Sequence, residues 1–280
     1  MLNYNGKFIP ETDPPIDNRG LLFGDGVYET VRVLDSRILF LEDHYFRLMS
    51  SMRIIRMEIP KDFTMEFFES QLLETARQSN CEVSGRLRMT VFRSGSGFYL
   101  PQTNAVKWIV SAQKLDNSVY QIATERYEVE LFKDFYVTRQ LLSSIKNTNK
   151  LINVTASIFA SENGYDNCLL MNDSKNVIEA VNGNLFMLIG NKLVTPPVSD
   201  GCLNGVMRKQ ILAIAHKMEN LEVVEEPISP FDLQKADELF ITNVIVGVQP
   251  ITQYRKKAYS YALAEELLIK LNAQVRLSGI

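Results

Sequence analysis

The sequence predicts a mixed α+β chain, because two different periodicities alternate along it. Residues 86–93 alternate apolar and polar side chains, the period-two pattern of a half-buried strand. Met65, Phe68, Leu72 and Ala76 recur at i, i+3, i+7 and i+11, the buried side of a helix. Turn residues such as Asn172-Asp173-Ser174-Lys175 and Gly190-Asn191 join short apolar runs into hairpins.

In chain order, strands are expected at 1–5, 27–33 and 38–40, with a turn at Asp35-Ser36. A helix starts near Glu42, with Tyr45, Phe46, Met49, Met52 and Ile55 on its apolar side, and a second spans 65–79. Strands follow at 86–93 and 106–112. The polar run 114–118 suggests a boundary, giving a first domain at 1–113, a linker at 114–120 and a second domain at 121–280. The second domain is expected to open with strands at 121–129 and 136–137. A helix follows, with Leu151, Val154 and Ile158 as its apolar face and a stop at Asn163-Gly164. Two hairpins come next, 168–171 with 176–179 and 184–189 with 192–195. A loop with Gly201 and Gly205 opens a helix that buries Met207, Ile211, Ile214 and Met218. A strand at 240–242 and a helix at 260–271 complete the chain.

Composition narrows the function classes. The 280 residues are 46% hydrophobic and 22% charged with net charge −3, and no basic block points to nucleic acid or an anionic membrane. No apolar run approaches the ~20 residues that span a bilayer, and the N-terminus lacks a signal-peptide core. Three widely spaced cysteines, Cys81, Cys168 and Cys202, fit reduced thiols in a cytoplasm. Two histidines without CxxC or HExxH argue against a metal site. There is no GxSxG elbow or Walker loop, and Arg93-Ser94-Gly95-Ser96-Gly97 lacks the GxGxxG spacing.

Five stretches have residue types suited to chemistry. Lys146, in Ser144-Ile145-Lys146-Asn147-Thr148, is placed between a strand-like run and a helical pattern, where a lysine can form a Schiff base with a carbonyl cofactor. Gly201-Cys202-Leu203-Asn204-Gly205-Val206-Met207 runs into a helix, and free N–H groups at a helix start suit a phosphate. Taken alone it reads equally as a plain N-terminal turn. Arg47 follows His44 by three residues and can fork onto phosphate oxygens, or else pair with Asp43 on the helix surface. Glu179 closes a hairpin strand and would keep a pyridine nitrogen protonated, or else face solvent. The glycines of Asn18-Arg19-Gly20-Leu21-Leu22-Phe23-Gly24-Asp25-Gly26 suggest a tight loop before a strand.

Together these segments resemble the aminotransferase class IV family, the fold-type IV pyridoxal phosphate enzymes. The matching pieces are RGLLFGDGVYETVRV, LEDHYFRL, SSIKNTNKL, IEAVNGNLF, GCLNGVMR and ELFITNVIVGVQPI, in the family's order over nearly the whole chain. The resemblance implies a small N-terminal α/β domain, a larger C-terminal one and pyridoxal 5'-phosphate in the cleft between them. Lys146 matches the lysine that forms the internal aldimine and shuttles protons. Glu179 matches the glutamate at the pyridine nitrogen, and Arg47 the phosphate arginine, joined by backbone N–H groups of Val206 and Met207, with Leu203 and Gly205 also at the cofactor. Family members are usually homodimers.

The resemblance extends to three reactions. Gly205-Val206-Met207-Arg208 and Asn243 are similar to 4-amino-4-deoxychorismate lyases of folate synthesis, as is Arg93-Ser94-Gly95-Ser96-Gly97, whereas aminotransferases commonly show G-I-T-R. Tyr28-Glu29 is closer to the aminotransferase pair, and Asn182-Gly183 departs from the usual small or hydroxylic pair. Phe98-Tyr99-Leu100 stands where D-amino acid aminotransferases carry an R-x-H carboxylate clamp. The implied function is therefore the lyase, with a branched-chain type aminotransferase as alternative and a non-catalytic pyridoxal phosphate-binding protein as a remote one. Phe23, Tyr28, Arg93, Tyr99 and Asn243 are the expected pocket-lining residues, Asn243 also touching the cofactor.

Overall fold

The computed structural model describes residues 1–10, 18–123 and 125–277. It divides into two compact units, one of Met1–Ser118 with Ile145–Asn149, the other of Val119–Ser144 with Lys150–Ile280.

The first unit contains β1 (Leu2–Tyr4), β2 (Lys7–Ile9), α1 (Arg19–Phe23), β3 (Gly26–Leu34), β4 (Arg37–Ile38), α2 (Leu41–Ile54), α3 (Met65–Gln78), β5 (Ser84–Arg93) and β6 (Val106–Lys114). Its antiparallel sheet has the order β2-β1-β6-β5-β3-β4. Alternation decides which face is covered: Val27, Val31 and Val33 of β3 and Leu87, Met89 and Val91 of β5 are fully buried with Leu48, Met52, Phe68 and Leu72 of α2 and α3. Tyr28, Arg86, Arg88 and Thr90 occupy the opposite face, half-buried. Thr64 starts α3, its hydroxyl accepting from the Phe67 N–H. β6 runs to Lys114, into the polar stretch read as linker.

Residues 145–149 join this unit through both side chain and backbone. Ile145 is 4% exposed and belongs to the core just described. The Tyr28 N–H donates to Lys146 O at 2.8 Å, and the Thr148 N–H to Gly26 O at 3.0 Å, so the segment lies along the start of β3. Gly24 (φ +62) makes room for it, since a Cβ there would lie 2.5 Å from Asn149 Oδ1.

The second unit contains β7 (Glu128–Leu131), α4 (Leu141–Ser144), α5 (Leu151–Glu162), β8 (Asn167–Met171), β9 (Val177–Ala180), β10 (Gly183–Ile189), β11 (Lys192–Thr195), α6 (Val206–Ala215), β12 (Glu222–Glu225), β13 (Glu238–Asn243), β14 (Gly247–Ile251), β15 (Gln253–Tyr254), β16 (Lys257–Ala258) and α7 (Ala262–Leu277). Its sheet has the order β12-β11-β10-β9-β8-β7-β15-β16, with β13 paired to β10 and β14 to β13. All five residues of β8 are buried, because both faces are covered: Leu169 packs into one apolar cluster, Cys168 and Leu170 into another.

Three expectations fail here for identifiable reasons. The strand expected at 121–129 shrinks to β7; upstream, the Asn272 side chain binds both backbone groups of Tyr120, at 3.1 and 2.8 Å, in place of a ladder. Residue 124 lies outside the described residues. The strand expected at 136–137 reduces to a single bridge from Val137 to Asn172, and α4 then intervenes, so Lys146 follows a short helix instead of a strand. On α5 the apolar stripe is turned outward: Leu151, Val154 and Ile158 are 78, 50 and 51% exposed, while Ala156 and Ala160 face β8. Small alanines permit the closer helix–sheet approach.

Ile145→Ala should cost about 2–4 kcal/mol of stability in urea unfolding and accelerate amide exchange at Tyr28, whose N–H is bound to Lys146 O. Unchanged exchange at Tyr28 would mean that the segment does not depend on its core anchor.

Candidate active site

Within the first unit the Lys146 amine lies 4.7 Å from the centroid of the Tyr28 ring. Tyr28 reaches it because β3 alternates: the next residue, Glu29, points to the other face and is 1% exposed. Glu29 accepts from Arg47 Nε at 2.7 Å and Arg47 Nη2 at 2.6 Å, a two-pronged ion pair, and from His44 Nδ1 at 2.7 Å. His44 and Arg47 stand three apart on α2 and so share one side of it. The Arg47 guanidinium, 12% exposed, is thus held by Glu29.

The electrostatics of this cluster follow from burial and charge. Burial pushes the Glu29 carboxyl up, but Arg47 and His44 outweigh it and bring it down to about 2. Burial pulls His44 below its usual value; the hydrogen bond and charge of Glu29 oppose this, and the Arg47 and Lys146 charges add to it. His44 is therefore neutral near pH 7, with Nδ1–H donating to Glu29. Its Nε2 is buried without a hydrogen-bond partner among the described residues.

In the second unit Glu179, on β9, accepts from the Leu203 N–H at 2.9 Å. Asn184 Nδ2 donates to Leu203 O at 2.8 Å, and a Cβ at Gly205 would lie 1.9 Å from Asn184 Oδ1, so a side chain at 205 would force Asn184 to move. Gly205 caps α6 without a side-chain hydrogen bond, and the first turn of α6 has no acidic residue. The N–H groups of Val206 and Met207 begin a helix and have no intrahelical acceptor, which together with the helix dipole makes this terminus a place for an anion. Burial, reinforced by Glu179, pushes the Cys202 thiol up to about 12, which removes it as a nucleophile.

The expected pocket residues fall into different roles. Phe23 and Tyr99 touch edge-on at 6.3 Å between centroids, and both are exposed. Arg93 is buried and structural: it binds Asp25 at 3.0 Å, Asn104 Oδ1 at 2.6 Å and the carbonyls of Ile55 and Arg56 at 2.7 and 3.1 Å. Asn243 shapes a turn, accepting from the Ile245 and Val246 N–H groups and donating to Asn182 O. Arg88 belongs to none of the motifs in the sequence, yet its guanidinium lies 3.8 Å from the Tyr28 centroid. Its position on the polar side of the alternating strand 86–93 was the available signal.

Both ionisable groups of the buried cluster destabilise on acidification. The folded pKa of Glu29, about 2, lies below its ordinary 4.5, so its contribution is full above pH 4.5 and is lost as pH falls toward 2. His44, lowered from 6.5, must take up a proton on unfolding below that pH, so stability already declines there. Urea titrations should show both phases. Glu29→Gln should lose about 3 kcal/mol at pH 7 and flatten the lower phase. A pH-independent stability between 6.5 and 2 would contradict the arrangement. Gly205→Ala should displace Asn184 and lower the affinity for inorganic phosphate, read by calorimetry.

Known proteins resemble this chain along most of its length. A D-alanine aminotransferase of Staphylococcus epidermidis is 28% identical, covering 89% of this chain and 87% of its own. A Methanocaldococcus jannaschii protein provisionally named branched-chain-amino-acid aminotransferase is 29% identical over 97% of this chain and 94% of its own. A Legionella pneumophila crystal structure, provisionally named 4-amino-4-deoxychorismate lyase, has the same fold at TM-score 0.84 and 23% identity, covering 96% of this chain and 97% of that one. The amino-transferase class IV family model matches residues 26–254, and the chain belongs to that family.

Proposed function

We propose that the protein is a pyridoxal phosphate-dependent amino-acid aminotransferase whose working amine is Lys146. The residues present suit the cofactor: an amine at Lys146, a carboxylate at Glu179, a fixed guanidinium at Arg47, and a helix start at Val206 and Met207 with glycine at its cap position. When bound, the cofactor supplies an electron-withdrawing ring that stabilises negative charge at the substrate's Cα. Lys146 would carry the cofactor, and its amine would take and return the Cα proton. Glu179, oriented by the Leu203 N–H, would keep a proton at the ring nitrogen. Arg47 and the α6 N–H groups are the candidates that would hold the phosphate, and Glu29 fixes the plane of Arg47.

One observation carries the choice of transamination. Tyr28-Glu29, the pair that matches aminotransferases, stands at the lysine and at Arg47, whereas the lyase-like Arg93 and Asn243 serve to hold loops. The full-length relatives bear aminotransferase names, in keeping with this reading. The lyase remains a second reading because Gly205-Val206-Met207-Arg208 opens α6. The exposed stripe of Leu151, Val154 and Ile158 supports a homodimer, in which a second copy would cover it.

The experiment offers branched-chain amino acids, both enantiomers of alanine, and 4-amino-4-deoxychorismate to the cofactor-loaded protein. A 2-oxo acid from an amino acid is the expected product; p-aminobenzoate released faster than any 2-oxo acid would transfer the assignment to the lyase. Glu179→Ala should lower turnover about a hundredfold or more with cofactor still bound. Turnover equal to wild type would contradict the role given to Glu179.

A further inference from the structure

One loop of the second unit serves three groups that the proposed reaction needs. Residues 200–207 run from a short turn, Val198–Asp200, into α6, and backbone N–H groups along them have different partners. The Leu203 N–H donates to Glu179, and the next, that of Asn204, donates to Ser144 O at 3.2 Å. The N–H groups of Val206 and Met207 follow and have no intrahelical acceptor. Ser144 ends α4 and stands two residues before Lys146. Asn204 and Ser144 both belong to the second unit.

The bond to Ser144 matters because burial does not hold α4. Its four residues make one turn, too short to satisfy the terminal carbonyls, and none of the four is buried. A segment with few buried contacts opens locally with little input of free energy. Two of its hydrogen bonds are purely local, from Ser143 Oγ to Thr138 O at 2.6 Å and from Ser144 Oγ to Leu141 O at 2.8 Å. The loop meets the same stretch a second time, since a Cβ at Gly201 would lie 3.3 Å from Thr138 O.

The loop itself is anchored by Asn172 Nδ2, which donates to Asp200 O at 3.1 Å, and by Asn184 Nδ2 at Leu203 O. Only Asn204 and Gly205 separate the second anchor from the open N–H groups of α6. An anion bound there would order this pair, and with it the donor that holds Ser144. Such coupling is reciprocal: order imposed on the segment before Lys146 returns as affinity for the anion.

We propose that Asn204 is a positioning residue whose N–H transmits anion binding at the start of α6 to the segment that presents Lys146. The inference rests on the roles given above to Lys146 and α6, and it adds a regulation of that site: filling the anion position readies the amine.

The test uses the full-length, cofactor-free protein with inorganic phosphate as probe and follows amide exchange peptide by peptide. Phosphate should slow exchange about fivefold or more in 203–207 and also in 141–148, leaving 262–277 of α7 unchanged. Asn204→Pro, which deletes the donor, should keep the protection at 205–207 and lose that at 141–148. Phosphate should also raise, about fivefold in the wild type and not in Asn204→Pro, the rate at which pyridoxal attaches to Lys146. That rate is read by borohydride reduction and peptide mass mapping. Protection confined to 203–207, equal protection in α7, or an undiminished effect in Asn204→Pro would overturn the proposal. Should Asn204→Pro fail to fold, the wild-type pyridoxal rate decides, and indifference to phosphate contradicts the coupling. Absence of phosphate binding in calorimetry would remove the α6 reading and the coupling with it. Attachment of pyridoxal to another lysine would instead show that the reading of Lys146 has failed, and would leave the exchange result intact.

Discussion

Two backbone hydrogen bonds and one buried isoleucine position Lys146, the proposed working amine. Without the bond from the Tyr28 N–H to Lys146 O, and that from the Thr148 N–H to Gly26 O, residues 145–149 would be an ordinary connection. Ile145 holds the same segment from the core side. Because the anchor is a strand, whose side chains alternate, the neighbours of the lysine are specified as well. Tyr28 falls beside the amine and Glu29 on the opposite face. A shift of one residue in this register would exchange them.

Glu29 shows how a buried charge can serve a site without reaching a substrate. Its carboxylate is out of water, which by itself favours the neutral form, yet Arg47 and His44 keep it ionised. Removing Arg47 would leave that buried charge uncompensated. The same pairing holds the Arg47 fork in one plane. On the other face of the strand the balance is reversed: Arg32, Arg86 and Arg88 are gathered with no carboxylate among their lateral neighbours. One strand pair thus separates a neutralised cluster from a cationic one.

Much of this was legible in the sequence, for physical reasons. The alternation of 86–93 and the helical spacing of 65–79 correspond to β5 and α3, because amphipathic segments bury one side wherever they pack. The local pattern around Lys146 was less informative. Phe135, Tyr136 and Val137 have strand composition, but only Val137 forms a bridge. Leu151, Val154 and Ile158 obey the helical period yet are exposed, since periodicity locates an apolar face without saying what covers it. Glu29 and Arg88 lacked any local mark of function. Their partners are 15 to 18 residues away in one case and on a paired strand in the other, distances that only the fold closes. Arg93 shows the reverse: its motif suggested substrate, and its guanidinium is spent on Asp25, Asn104 and two carbonyls.

The central claim is that Lys146, held against Tyr28, is the residue that carries the cofactor. Borohydride reduction of the protein loaded with pyridoxal phosphate, followed by peptide mass mapping, tests it most directly. The account requires the phosphopyridoxyl group on the peptide containing Lys146 and none elsewhere. Modification of a different lysine, with Lys146 untouched, would contradict it.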